Sequence, residues 1–132
     1  MGQLNSKVNR VVWCDVPVSN LDRASTFYGA VLGIKIHRET FGEISFAVLE
    51  HSDGNGGCLV PKPADVGASG PLVYFNVNGR LTQAVSEAEK NGGRVLERPH
   101  SIGPHGSRAI VIDSEGNRIA LHSEETMPAA KA

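Results

Sequence analysis

The chain has 132 residues, of which 40% are hydrophobic and 20% are charged, and its formal net charge at pH 7 is −1. This composition is typical of one globular domain with an apolar core and excludes a largely disordered chain. A chain without a basic surplus is not expected to bind nucleic acid. The sequence also lacks an apolar run of the ~20 residues that a membrane-spanning helix needs.

The N-terminal segment and the cysteine content both predict a cytoplasmic protein. The segment MGQLNSKVNR is polar and lacks the apolar core of a secretory signal. Cys14 and Cys58 are too few for a disulfide framework and too far apart in sequence for a zinc knuckle. We therefore expect two reduced thiols.

The first half of the chain predicts a strand, a helix and three further strands. Residues 11–18 are β-branched and apolar, and Pro17 restricts this strand to a sheet edge or places the proline at the strand's end. Ser19 and Asp22 form a capping-box variant, so a helix is expected to begin near Asn20. Its buried face is predicted to comprise Ala24, Phe27, Tyr28, Val31 and Leu32. Gly33 is expected to end the helix in a left-handed conformation. Further strands are predicted at 34–37, 44–50 and 57–60.

The second half repeats this order. A strand at 72–77 and an Asn78-Gly79 turn precede a second helix, and strands follow at 94–98, 107–112 and 118–122. The buried face of this helix and the glycines that end it are Leu81, Ala84, Val85, Ala88, Gly92 and Gly93. The two copies are offset by about 60 residues, which indicates an internal duplication.

The duplication predicts an α+β fold of two βαβββ modules. One helix for four strands leaves one face of each sheet uncovered, and the two modules together would form an eight-stranded open barrel, or cup. We expect one domain over 1–132, with module one at about 8–66, module two at about 67–123 and a disordered tail at 124–132. The alternative is that two generic α+β segments share this order by coincidence.

Several segments resemble a known family. They are PVSNLDRASTFYGAVLGI in the first half, and LVYFNVN, EKNGGRVL and DSEGNRIALHS in the second. The Phe-Tyr helix and the DxxGN turn are the most specific of these motifs. They resemble the vicinal-oxygen-chelate superfamily of glyoxalase I, bleomycin-resistance proteins and extradiol dioxygenases, and in particular its lactoylglutathione-lyase-related branch. This resemblance implies the fold, but it leaves open a lyase, an isomerase, an oxygenase or a binding protein.

The same resemblance implies four positions for ligands of a divalent metal. Enzymes of this family fill them with His, Gln or Glu, which suit such metals. Here three of the positions fall on Trp13, Leu72 and Ala120, and the fourth falls within 58–60, where Cys58 is the one possible ligand. We therefore expect no metal cofactor.

The residues expected to line the cup follow from the alternation of side chains along a strand. Val11 shares the inward phase of the first strand, and the predicted ligand-binding residues are Trp13, Asp15, Leu72, Tyr74, Asn76, Arg118, Ala120 and His122. Trp13 and Tyr74 would form an aromatic floor for a small organic ligand. The alternative is that these two rings only fill the barrel and that Asp15 pairs with Arg118 at its rim.

The other polar residues give weaker signals. His37 and His51 are expected to be solvated, and the segment HSIGPHG, bracketed by His100 and His105, is expected to be a flap over the cup. The DSEGN segment is predicted to form a hairpin turn in which Gly116 has positive φ.

The sequence therefore favours a protein that binds a small molecule in its cup without a metal. The alternative is a lyase or isomerase resembling glyoxalase I. It would use a relocated metal on His122 with Glu50 or Cys58, or acid–base catalysis by Asp15 and His122, with Glu50 as a further candidate base. A third possibility is a regulatory domain whose cup is packed shut. By analogy with the family, we expect a homodimer.

Overall fold

The computed structural model describes residues 9–126. Two four-stranded units follow one another, each with a helix after its first strand, so the predicted α+β fold of two βαβββ modules is confirmed. Module one contains β1 (Trp13–Val18), α1 (Leu21–Leu32), β2 (Ile36–Phe41), β3 (Ile44–Leu49) and β4 (Gly56–Pro61). Module two contains β5 (Val73–Asn76), α2 (Leu81–Lys90), β6 (Arg94–Ser101), β7 (Ser107–Ile112) and β8 (Arg118–Ser123).

The two sheets have equivalent topology. Their strand orders are β1-β4-β3-β2 and β5-β8-β7-β6, and in each sheet the first strand runs parallel to the last strand of its module. Strand pairing among residues 9–126 stays within each sheet. The sheets therefore form an open cup and not a barrel closed by hydrogen bonds. Neither α1 nor α2 is long and apolar enough to cross a membrane.

The core lies between the helices and one face of each sheet. Every apolar position predicted for the buried faces of α1 and α2 is buried. Phe27 and Tyr28 are completely buried, and burial of a large apolar side chain contributes roughly 1.5–3 kcal/mol. The opposite face of each sheet points away from the helices, and we call it the distal face.

The ends of the helices show how local chemistry sets their limits. The N-cap of α1 is Asn20, whose side chain accepts a hydrogen bond from the backbone N–H of Arg23, so the predicted capping role of Ser19 is wrong by one residue. The helix ends at Gly33, whose φ of 67° is left-handed as predicted. The C-cap of α2 is Asn91, followed by Gly92 at a φ of 92°.

Most predicted strand limits agree with the observed ones to within two residues, and three boundaries differ by more. β2 runs over Ile36–Phe41 and not 34–37, because it pairs with β3 in unbroken register up to the turn at Gly42. β6 continues to Ser101 through two register shifts, so His100 lies in a strand and not in a flap. Glu124 and Glu125, assigned above to a disordered tail, form hydrogen bonds with Asn78 and Ser107. Residues 127–132 of that tail lie outside the described residues.

The two motifs most specific to the family meet at the joint between the modules. The hydroxyl of Tyr28 on α1 donates a 2.5 Å hydrogen bond to the Asp113 carboxylate at the start of the DSEGN turn. The side chain of Asn117, at the end of that turn, donates to the Pro17 carbonyl on β1. Gly116 has the positive φ predicted for it, at 106°. The contacts of these motifs therefore join the two modules.

Candidate functional site

A polar row crosses all four strands on the distal face of the second sheet. The strand registers place His100 on β6 opposite Arg108 on β7, Arg108 opposite His122 on β8, and His122 opposite Asn76 on β5. Residues opposite one another on neighbouring strands lie on the same face. We call His100, Arg108, His122 and Asn76 the polar row.

Arg108 is at the centre of the hydrogen-bond network around this row. Its Nη1 donates to the Tyr74 hydroxyl at 2.5 Å, and its Nε donates to Nε2 of His100 at 3.4 Å. The guanidinium carbon also lies 6.0 Å from the centre of the Tyr74 ring. Only 26% of the Arg108 side chain is exposed, so these contacts hold a partly desolvated cation in one position.

The hydrogen bonds of His100 define its tautomer. Its Nδ1 lies 2.7 Å from the Arg98 carbonyl and must donate to it, which leaves Nε2 of the neutral ring as the acceptor for Arg108. The Glu97 carboxylate is farther away, at 3.6 Å from His100 Nε2 and 3.9 Å from Arg108 Nη2. His100 is therefore a buried support for Arg108.

An open cleft of about 520 Å³ lies beside the polar row. Its lining residues are Tyr74, Ile102, His105, Arg108 and His122. Nε2 of His122 donates to the His105 carbonyl at 2.7 Å, so the neutral ring has Nδ1 as its acceptor. The predicted flap region thus contributes Ile102 and His105 to the rim, and the open cleft argues against a cup that is packed shut.

The distal face of the first sheet is mainly apolar. The Trp13 ring meets the His51 ring edge-on at 5.5 Å, so His51 is not simply solvated. The Cys58 thiol donates to Asp15 at 3.2 Å. Burial, followed by effects of Asp15, raises the pKa of Cys58 to about 11, so this thiol is protonated at neutral pH.

The remaining predicted residues do not line the cleft. Asn76 accepts from the backbone N–H of Asn78, so its side chain stabilises the turn after β5. Arg118 donates to the Gly70 carbonyl, and Asp15 accepts from Cys58, so neither contact supports the Asp15–Arg118 pair considered above. Leu72 precedes β5, Ala120 is fully buried, and Val11 is 74% exposed ahead of β1.

The residues proposed for catalysis are not brought together by any contact. Asp15 is on the first sheet and His122 on the second, each with the hydrogen-bond partner given above. Glu50 instead pairs with His37 at 3.5 Å, and both side chains are about half exposed. The solvated position expected for His37 agrees with this pairing.

The four positions implied for metal ligands do not fit a divalent metal. Asp15 and Tyr74 each lie two residues after the first ligand position of their module. Asp15 pairs with Cys58 and Tyr74 pairs with Ala120, so Cys58 is the counterpart of Ala120 and occupies the fourth position. Trp13, Leu72 and Ala120 supply no ligand atom, and Cys58 is a protonated thiol. Among residues 9–126, no three or more His, Cys, Asp or Glu side chains are arranged to hold a metal ion.

Arg108, His100 and Glu97 are missing from the binding residues predicted from the sequence. Side-chain alternation predicts inward residues on β1, β5 and β8, because the resemblance implies metal-ligand positions on these strands. Arg108 lies on the neighbouring strand, opposite His122. The same rule applied to 107–112 finds it, whereas the register shifts in β6 conceal His100 and Glu97.

The fold and the cleft define the class of paired βαβββ proteins with an open cup. The family model described as the Glyoxalase/Bleomycin resistance protein/Dioxygenase superfamily matches residues 10–121. The chain therefore belongs to this superfamily, and the resemblance seen in its sequence motifs is confirmed.

Individual relatives are distant. A glyoxylase-like domain-containing protein from Didymella fabae is 28% identical over 113 residues, which cover 81% of this chain and 88% of that protein. The trypanothione-dependent glyoxalase I of Leishmania major aligns with a TM-score of 0.63 and 18% identity, covering 88% of this chain and 87% of that one. A fosfomycin resistance protein from Listeria monocytogenes aligns with a TM-score of 0.65 and 12% identity, covering 88% and 93%. At sequence identities of 18% and 12%, these two structural matches show a shared fold alone.

Proposed function

We propose that the protein binds a small organic molecule in the cleft on the distal face of the second sheet. The observation that carries this proposal is the held arrangement of Arg108, Tyr74 and His122 around an open volume of about 520 Å³. Clefts of roughly 300–1,000 Å³ that combine apolar walls with a few fixed polar groups are typical ligand sites. Ile102 and the Tyr74 ring supply the apolar walls.

The test is a thermal-shift screen of small metabolites and drugs, followed by calorimetric titration of the hits. We expect hits whose affinity falls at least about tenfold in Tyr74→Ala, because that variant removes both the wall and the Arg108 acceptor. Phe46→Ala is the matched control, since it removes an aromatic ring from the distal face of the first sheet. Hits that weaken equally in both variants, or in neither, would place the site elsewhere.

We also propose that binding needs no divalent metal. The support is the chemistry of Trp13, Leu72, Ala120 and the protonated Cys58 thiol at the positions that the family uses for ligands. Elemental analysis of untagged protein and titration with Ni²⁺, Zn²⁺, Mn²⁺ and Fe²⁺ test this. We expect no site tighter than about 10 µM. One tightly bound equivalent of metal would overturn the proposal and put lyase and dioxygenase assays first.

We further propose a cytoplasmic homodimer. The support for dimerisation is an exposed apolar hairpin tip, where Phe41 is 80% and Ile44 is 58% exposed, on a module whose sheet ends in unpaired strands. Sedimentation equilibrium tests the assembly, and a monomer at about 100 µM would contradict it. Fluorescence microscopy of the tagged protein in its own cell tests the compartment.

A further inference from the structure

We propose that the molecule bound in this cleft carries an oxyanion, such as a carboxylate or phosphonate, and that the Arg108 guanidinium binds it. This inference rests on the proposed function and specifies the chemical class of its ligand.

Neutral acceptors hold Arg108. The Tyr74 hydroxyl and Nε2 of His100 take one hydrogen bond each from Nη1 and Nε. A guanidinium has five N–H donors, so three remain after these two contacts. His100 is itself fixed by its bond to the Arg98 carbonyl, so Arg108 is oriented before any ligand arrives. A preorganised fork of this kind matches the two oxygens of a carboxylate or phosphonate.

Among residues 9–126, Arg108 has one ion pair, which is a long one. Its nearest carboxylate is Glu97, which is 3.9 Å from Nη2 and half exposed. Two other arginines have much shorter ion pairs, at 2.6 Å for Arg23 with Glu115 and 3.1 Å for Arg98 with Glu89. A cation that is only 26% exposed gains strongly from a hydrogen-bonded anion, because its own hydration is already reduced.

The other residues that line the cleft indicate which kind of chemical group is attached to the oxyanion. The Tyr74 ring and Ile102 offer apolar contact, and the His122 ring lies 6.3 Å from the Tyr74 ring. The Nε2–H of His122 is occupied by the His105 carbonyl, so it does not compete with Arg108 for the anion. A small aromatic or branched apolar acid therefore fits better than a free inorganic anion.

The experiment compares matched acids and neutral compounds by titration of ¹⁵N-labelled protein. The probes are benzoate and phenylphosphonate, with benzamide and benzyl alcohol as neutral counterparts. We expect saturable shifts of the amides of His100, Arg108 and His122 with both acids, and affinities at least about tenfold weaker for the neutral compounds. Sodium sulfate and phosphate, as free anions, should bind more weakly than either aromatic acid.

Two variants at the cleft test the role of Arg108 with opposite signs. Arg108→Gln should abolish the preference for the acids. Glu97→Gln leaves Arg108 in place but removes the nearby competing carboxylate, so it should tighten binding of both acids several-fold. Arg38→Gln on β2 removes one positive charge, as Arg108→Gln does. It is the matched control for that variant and should leave the affinities for both acids unchanged.

Equal affinity for acids and neutral compounds, or an unchanged preference in Arg108→Gln, would overturn the oxyanion assignment but leave the proposed function standing. Failure of both acids to bind up to about 10 mM would also overturn the assignment. The proposed function fails separately, if its own screen yields no hit that depends on Tyr74.

Discussion

The distal faces of the two modules occupy equivalent positions and carry different chemistry. The polar row of module two is His100, Arg108, His122 and Asn76. The registers of the first sheet, with the β3–β4 pairing continued by one residue, assign its counterparts in module one as Glu39, Phe46, Val60 and Pro17. The faces that meet the helices are apolar in both modules. The two modules thus share an apolar face towards the helices, whereas their distal faces differ in chemistry.

The turns before the last strand of each module show the same divergence. Residues 51–55 read HSDGN and residues 113–117 read DSEGN. In the first turn, Nδ1 of His51 donates to the Gly54 carbonyl, so that contact stays local. In the second, Glu115 accepts hydrogen bonds from the backbone N–H groups of Ser19 and Asn20 and pairs with Arg23. The second turn therefore joins the two modules through Glu115.

The largest expected effect comes from removing the buried Asp113 carboxylate of the DSEGN turn. Asp113→Ala removes the acceptor for the Tyr28 hydroxyl and for the backbone N–H groups of Glu115 and Asn117. It should reduce the free energy of unfolding by about 3–5 kcal/mol, measured by urea denaturation, because buried donors lose their partner.

Tyr28→Phe completes a double-mutant cycle with Asp113→Ala. The single change should cost about 1–2 kcal/mol, and the double variant should be less destabilised than the sum of the two. Additive costs would show that the two groups do not interact as described.

The next effect distinguishes the glycines that follow the two helices. A Cβ at Gly93 would lie 2.7 Å from the Ile112 carbonyl oxygen and 2.9 Å from that of Ala88. Gly93→Ala should therefore cost about 2–4 kcal/mol in the free energy of unfolding, because backbone has to move.

Gly33→Ala is the matched change in module one. Its φ of +67° strains an L-residue, but the nearest atoms belong to the flexible end of Arg80. Its cost should be about 1 kcal/mol. Equal costs for the two variants would contradict the close backbone approach at Gly93.

A third, pH-dependent effect comes from Glu115. Burial alone would raise its pKa, but hydrogen bonds from Arg23, Asn20, Ser114 and Ser19 lower the pKa from 4.5 to about 2. Since the folded pKa is below the unfolded one, Glu115 contributes stability that is complete above about pH 4.5 and is lost as the pH falls towards 2.

Glu115→Gln should cost about 2 kcal/mol at pH 7, and its difference from the unsubstituted protein should shrink steadily between pH 4.5 and 2. Asp53→Asn, its exposed counterpart in the HSDGN turn, should cost less than about 0.5 kcal/mol. A constant difference across this pH range would contradict the lowered pKa.

The smallest effect is expected where one module is given the other's residue. Cys58 in the first sheet and Ala120 in the second occupy equivalent positions, so Cys58→Ala gives module one the residue of module two. The change removes one buried thiol and its hydrogen bond to Asp15, so we expect a loss of about 1 kcal/mol or less in thermal or urea denaturation. A loss above about 3 kcal/mol would show that the Cys58–Asp15 contact holds the first sheet together.

The elements of each module were predictable because their signals are local. Ala24, Phe27, Tyr28, Val31 and Leu32 mark one helical face by their spacing alone, and Gly33 ends that helix by its own conformational freedom. The site was only partly predictable. The positions of Tyr74 and His122 follow from the regular alternation of β5 and β8, whereas His100 lies beyond the two register shifts of β6.

By itself, the sequence determined the duplicated βαβββ order, the buried helix faces and the family. Hydrophobic period, turn residues and caps act over a few neighbouring positions, and all of them are visible in one chain. The tertiary structure decided that Tyr28 meets Asp113, 85 positions away, and that Arg108 is held by Tyr74, 34 positions away. Such contacts depend on strand register and on the packing of one module against the other, and no local pattern specifies them.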